Sequence, residues 1–290
     1  ISLSNGSFPL IQTTIYGNTF DCSSPISKAP HVNQITRAHI QLDNVTDLVI
    51  GDAARNTNSF LKGAVGINAN YSSLFVFHND FNPQEGRSCA IRGKGAGNRK
   101  DGNIRESVSN NNVVKNFYNG IEIYDAIFPD PGDLCCPENH IVANNYFNPG
   151  LTYGLDLISY GNTAIDVRNK VPQFTPVKVS TNSILNSAIG IHFLNSNGSM
   201  AIDGNTYNSQ IPFDQTTIDH YGIWVQNSNN VKVIVNTVLW SGPFVSGSIS
   251  RDLLQNQKGI AVARSFKCMF EENTIRNFAA GFNVFDDCTN

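Results

Sequence analysis

The chain repeats itself, and the repeating unit is too short to be a domain. The string Gly-Ile-x-apolar returns as GIEI at Gly120–Ile123, GLDL at Gly154–Leu157, GIHF at Gly190–Phe193, GIWV at Gly222–Val225, GIAV at Gly259–Val262 and GFNV at Gly281–Val284. Less regular copies are HIQL (His39–Leu42), GINA (Gly66–Ala69) and AIRG (Ala90–Gly93). A second string opens on asparagine: NDF at Asn79, NVV at Asn112, NYF at Asn145, NSI at Asn182, NTY at Asn205, NTV at Asn236 and NTI at Asn273. The step from Gly222 to Asn236, and from Gly259 to Asn273, is 14 residues; from Gly66 to Asn79 it is 13. Between the two strings lies a third alternating segment: LFVF at Leu74, VKVS at Val177, MAID at Met200, VKVI at Val231 and CMFE at Cys268. A unit of this size cannot enclose a core alone, so it has to stack on its neighbours.

Each segment alternates apolar and polar residues, which reads as three short strands per unit with a turn after each. Successive anchors from Gly66 to Gly281 are 22 to 37 residues apart. The shortest spacing approximates a bare coil, and the longer ones are the same coil with a loop inserted. The predicted fold is all-β: a single-stranded right-handed parallel β-helix of about ten coils. Inward positions are expected to stack, among them Ile121 and Ile123, Ile191 and Phe193, Ile223 and Val225, and Phe81 and Phe147. The 38 asparagines fit this reading, because Asn is poor inside helices and favoured at tight turns. Asn79, Asn112, Asn145, Asn182, Asn205, Asn236 and Asn273 would share one position in successive coils and bond along the stack. Asp52 is expected to hold that place in an early coil.

Gly-Ile-x-Val followed 14 residues later by Asn-Thr-Ile resembles the generic repeat of the pectin-lyase-like superfamily, over roughly residues 10–290. The resemblance implies the fold. It does not imply an activity, since that superfamily includes polysaccharide lyases, polygalacturonases, pectin methylesterases, phage tailspikes, adhesins and passive surface modules. The strings typical of its enzymes are not carried here. There is no GHG, and paired aspartates occur only at Asp286–Asp287. TIDH at Thr217–His220 lacks the Trp of the lyases' W-I-D-H and falls in an insertion, so no role is transferred to Asp219 or His220.

Only 15% of residues are charged, the net charge is −3 and the pI about 6.1. Neither nucleic acid nor an anionic membrane is therefore an expected partner, and no apolar run approaches the ~18 residues of a membrane span. The 18 phenylalanines read as core, not as a stacking platform for bases. Six cysteines stand at 22, 89, 135, 136, 268 and 288, without zinc-type pairing. Cys268 takes the inward place that Val231 holds one coil earlier; Cys135 and Cys136 are open to a vicinal bridge or to other partners. The even count and the Asn-x-Ser/Thr strings at Asn5, Asn44, Asn70 and Asn197 are compatible with an extracellular setting. A low-charge repeat of this kind is similar to β-helix proteins that bacteria secrete or display at the cell surface. Residues 1–290 are expected to form one β-helix domain, a module of a longer secreted chain. Its coil ends would be covered by neighbouring domains or subunits.

The x of each Gly-Ile-x-apolar string is an outward position. In coil order these are Gln41, Asn68, Arg92, Glu122, Asp156, His192, Trp224, Ala261 and Asn283. With strands about 4.8 Å apart they form a row. Glu122 and Asp156 are candidate acid and nucleophile of a retaining glycosidase, or ligands for a calcium ion that neutralises a uronate; no other cofactor or metal is expected. His192 is a candidate base and Trp224 a surface for a sugar ring. Arg92, Lys94, Arg99 and Lys100, in or beside the insertion after Arg92, are candidate clamps for an anionic polysaccharide. The same residues also read as ordinary cross-strand pairs, Arg92–Glu122 and Asp156–His192, beside a solvated loop. Two functions follow. One is an extracellular β-helix module for adhesion, glycan binding or rigid spacing without catalysis. The alternative is a polysaccharide lyase or glycoside hydrolase acting on an acidic polysaccharide.

Overall fold

The computed structural model describes residues 1–4, 13–21, 38–43, 45, 48–52, 57–61, 65–70, 72, 74–81, 89–94, 106–109, 113–114, 119–124, 127–128, 140–143, 146–147, 153–158, 162–163, 177–185, 187–194, 197–210, 220–242 and 257–285. Between residues 93 and 178, side chains are described only at Ile121. Among the described residues there are strands and no helices, and the strands fall into three parallel sheets of ten, nine and nine. The chain visits the sheets in turn. His220–Gln226 lies in the first, Asn229–Ile234 in the second, Thr237–Trp240 in the third, and Gln257–Ala263 is back in the first beside His220–Gln226. This stacking of three-strand units fits a parallel β-helix, as the repeat predicts. A further two-stranded sheet pairs Ile127–Phe128 with Asn162–Thr163, which lie in the insertions of adjacent units.

Alternation places the core. Ile40, Ile67, Ile91, Ile121, Ile191, Ile223 and Ile260 stand in one column of the first sheet's register and are buried in one cluster. Each such side chain stabilises the stack by about 1.5–3 kcal/mol. The third sheet adds a pile of rings. Phe20 stacks on Phe60 at 4.7 Å and Phe60 on Phe81 at 4.4 Å, each pair 13° from parallel. Phe81 and Phe193 are fully buried, as expected; the Phe147 side chain lies outside the described residues. Phe282 and Val284 continue the inward columns into the last strand but are 47% and 52% exposed, because no described strand lies over them.

The repeat glycine has a steric cause. It sits where the third sheet returns to the first, directly under a third-sheet side chain and the next coil's carbonyl. A Cβ on Gly222 would lie 2.1 Å from Val238 Cγ1 and 2.7 Å from the Gly259 oxygen. On Gly259 it would lie 2.2 Å from Ile275 Cγ2 and 2.7 Å from the Gly281 oxygen.

The asparagine position closes the corner between the second and third sheets. Asn182 donates its backbone N–H (3.0 Å) and Nδ2 (2.9 Å) to Asn205 Oδ1. Asn205 does the same to Asn236 Oδ1 at 2.9 and 3.0 Å, and Asn236 to Asn273 Oδ1 at 3.0 Å twice. Each Nδ2 also reaches a carbonyl one coil back: Asn205 to Val179, Asn236 to Ile202 and Asn273 to Val233. The same ladder runs in the early coils from Asn18 to Asn58 and from Asn58 to Asn79. The early rung is thus Asn58, not Asp52: the step from Ile50 to Asn58 is five residues longer than the step from Val76 to Asn79 with which it pairs. Asn112 and Asn145 lie outside the described residues.

The residue before each described rung other than Asn58 is left-handed. Gly17, His78, Thr181, Gly204, Val235 and Glu272 have φ between +50° and +67°. That region costs an L-residue about 1–2 kcal/mol, and Asn79 and Asn236 pin the turn by donating back to the carbonyls of Phe77 and Ile234. Serine does the equivalent work after the first sheet, where Ser228 N–H donates to Ser265 Oγ at 3.0 Å and Val45 N–H to Ser72 Oγ at 2.9 Å.

Two stability measurements check this account by chemical denaturation. Asn236→Ala strands the Asn205 N–H and removes the bonds that Nδ2 donates to the Ile202 and Ile234 carbonyls, and is expected to cost about 3–5 kcal/mol. Val235→Gly relieves a left-handed β-branched residue that is exposed, and is expected to stabilise by about 0.5–1 kcal/mol.

Candidate functional site

The outward row is one line of register. Gln41 pairs with Asn68, Asn68 with Arg92, Arg92 with Glu122, Glu122 with Asp156, Asp156 with His192, His192 with Trp224, Trp224 with Ala261 and Ala261 with Asn283. Every neighbour is one strand away, about 4.8 Å. Lys94 stands two positions further along, between Asn70 and Tyr124. The side chains of Glu122, Asp156 and Lys94, and the whole of Arg99 and Lys100, lie outside the described residues. The structure therefore brings Arg92, Glu122, Asp156, His192 and Trp224 together as strand positions.

The upper end of the face is aromatic and closed. His192 stacks on Trp224 with ring centroids 4.5 Å apart and 22° between planes, and Tyr221 on Trp224 at 4.8 Å and 23°. His192 is 6% exposed and Tyr221 3%. Ile189, Tyr221 and Ala261 form a small apolar cluster apart from the main core, with Trp224 and Phe285 packed on it. Lys258 Nζ lies 4.7 Å from the Phe285 ring centroid and donates to Tyr221 Oη at 3.4 Å. Trp224 Nε1 is buried with no hydrogen-bond partner among the described residues. Ring faces that suit a sugar are here spent on one another, each such pair contributing about 0.5–1.5 kcal/mol beyond the area it buries.

The lower end is polar and half-exposed. Asn68 Nδ2 donates to Gln41 Oε1 at 2.8 Å, Asn70 Nδ2 to Asp43 Oδ1 at 2.8 Å, and Gln41 Nε2 to both Asp43 oxygens at 3.2 Å. These bonds fix three amide planes and a carboxylate beside Arg92, an arrangement suited to hydroxyl groups. Asp43 and Asn70 were not among the residues singled out from sequence. Their signal was the same alternation carried two residues further, in IQLD and INAN.

Among the described residues, no group of three or more His, Cys, Asp or Glu is placed to hold a metal ion. A calcium site would rest on Glu122 and Asp156. His220 opens its strand, nearly buried, and Asp219 lies outside the described residues. Cys268 is half-buried and packed on the main core, and the pairing of Lys232 with Met269 sets it in the column of Val231. Cys22, Cys135, Cys136, Cys288 and the Cys89 side chain lie outside the described residues.

No protein-family model, no curated protein and no solved structure matches the chain.

If the aromatic end is structural, its truncation must be felt in folding. Trp224→Ala is expected to lower stability by about 2–3 kcal/mol and Trp224→Phe by less than about 1 kcal/mol, read from denaturant midpoints.

Proposed function

We propose that the chain is a right-handed parallel β-helix of about ten coils, of the pectin-lyase-like kind. We assign it to the outside of a bacterial cell, secreted or surface-bound, as a non-catalytic module. The outer face of its first sheet holds a polysaccharide or cell-surface glycan. The right hand follows from the near-universal hand of parallel crossovers. The observation that carries the functional reading is the unbroken register from Gln41 to Trp224. A coil rise of about 4.8 Å is close to the length of one pyranose unit, so a glycan lying along the row meets a new side chain at nearly each sugar. Toward Gln41 the described part of that row consists of amides and a guanidinium, which bind sugars without transforming them.

One observation favours a second reading. Glu122 and Asp156 are direct neighbours in register, and a strand spacing of about 4.8 Å approaches the ~5–5.5 Å that separates the carboxyl groups of retaining glycosidases. On that reading the protein cleaves an acidic polysaccharide, as a hydrolase or a lyase, with calcium between the carboxylates in the lyase case.

Affinity electrophoresis through gels cast with polygalacturonate, alginate or xylan separates the two. A binding module is retarded by at least one of them and releases no new reducing or unsaturated ends. The double variant Asn68→Ala/Arg92→Ala weakens retardation at least about tenfold, an effect of the size of one or two lost polar contacts. Absence of retardation on any glycan would sink the binding reading. Release of new ends that is lost in Glu122→Gln and Asp156→Asn, with circular dichroism unchanged, would replace it with the enzymatic one.

A further inference from the structure

One member of the glycine column is a histidine. Ala38 pairs with Val65 and Ile40 with Ile67, so His39 stands where the next coil has Gly66. On Gly66 even a Cβ would come within 2.7 Å of the Phe81 ring. In the second coil that corner instead takes an imidazole, which lies edge-on against Phe60 at 5.9 Å and 68° and tilted to Phe20 at 6.0 Å and 59°. Phe20 belongs to the first coil and Phe60 to the second, stacked at 4.7 Å. The imidazole thus wedges the seam between the two coils.

We propose that His39 is an acid latch. When its ring takes up a proton, the first coil (Ser2–Ser4, Thr13–Ile15 and Thr19–Asp21) comes away from the second, while the stack beyond Ala38 stays folded. The geometry gives the reason. The ring is hydrogen-bonded to the Leu61 backbone, and Nε2 is buried with no partner among the described residues. A neutral ring tolerates that site. An imidazolium places a second N–H and a charge there with no acceptor, against phenylalanine.

Two charges face the ring. Asp21, at the end of its strand, favours the cation; the Ile1 ammonium, which donates to the His39 carbonyl at 2.7 Å, opposes it. Burial outweighs the hydrogen bond to the Leu61 backbone and the Asp21 charge, both of which favour the cation, and holds the imidazole below its ordinary value of 6.5. The sign is then fixed. The detached state binds the proton more readily than the docked state, so docking is fully present above 6.5. It weakens as pH falls through that value toward the lower docked one. The coil of Ser2–Ser4, Thr13–Ile15 and Thr19–Asp21 is the one that responds, since its strands are three residues each and its Phe20 rests on the imidazole. Its release uncovers the edges of Ala38–Asp43, Leu48–Ile50 and Asn58–Leu61, which are then open to strand pairing.

Hydrogen–deuterium exchange on the full chain tests this, at neutral pH and at about pH 5, corrected for intrinsic rates. Peptides covering Thr13–Asp21 are expected to lose protection about tenfold or more in acid, while those covering His220–Trp240 keep theirs. His39→Phe, which retains the wedge and removes the proton site, is expected to abolish the acid loss. Equal protection of the first coil at both pH values, or the same loss in His39→Phe, would overturn the proposal. Should that variant fail to fold, an NMR titration of His39 in the wild-type chain decides: a midpoint below 6.5 supports the latch, and one at or above 6.5 removes it.

Discussion

The asparagine corner is the constraint from which the other regularities descend. At that turn the backbone passes through a left-handed residue, and its polar groups face the neighbouring coil instead of a partner in their own. One amide per coil satisfies them. Oδ1 accepts from the coil before, and Nδ2 reaches a carbonyl there as well. Because the pattern is repeated without change of sense, each rung fixes the height and rotation of the next. Parallel strands alone would tolerate a slip of register, since their bonds are evenly spaced along the chain. A side chain that must meet its own counterpart one coil away does not. A slip by one residue would also turn every inward side chain outward, so the ladder and the buried columns enforce the same alignment.

That double enforcement explains what was legible in the sequence. The row from Gln41 to Asn283 could be written down because each of its members follows an anchor glycine or its counterpart at fixed distance, and alternation carries the rest. Where an insertion falls between anchor and rung, counting fails. The longer step from Ile50 to Asn58 put the early rung at Asn58 and not at Asp52 by this route. Left-handed residues were invisible for a different reason: Val235 and Thr181 are β-branched and carry no local preference for that region, so only the ladder makes it their conformation. The closed aromatic end was equally hidden. Spacing put His192 beside Trp224, but whether a tryptophan on an outer face lies open or against its neighbours depends on Tyr221, Ala261 and Phe285, three positions that the repeat does not single out.

A solenoid of this kind changes what an outer residue can be. Each position is flanked above and below by its own counterparts, so a column of identical polar groups would be a column of like contacts. The chain avoids this by grading the row. Amides and a carboxylate bond sideways and vertically at the lower end. Rings stack vertically at the upper end. The first arrangement leaves half-exposed donors and acceptors in fixed orientation, and the second spends its surfaces internally. A ligand that reads hydrogen bonds therefore has its fixed contacts toward the amide end, and the stacked rings serve chiefly to hold the strands beneath them in line.

The glycine column shows how far such a position can be bent without losing the fold. Glycine is required where a third-sheet side chain and the next carbonyl crowd the corner. Ala90 nevertheless stands in the same register and is fully buried, and His39 places a whole ring there by leaning on Phe20 and Phe60 instead of under them. The column is thus governed by the volume left by its neighbours and not by backbone conformation, since none of the repeat glycines at 66, 190, 222, 259 and 281 has a left-handed φ.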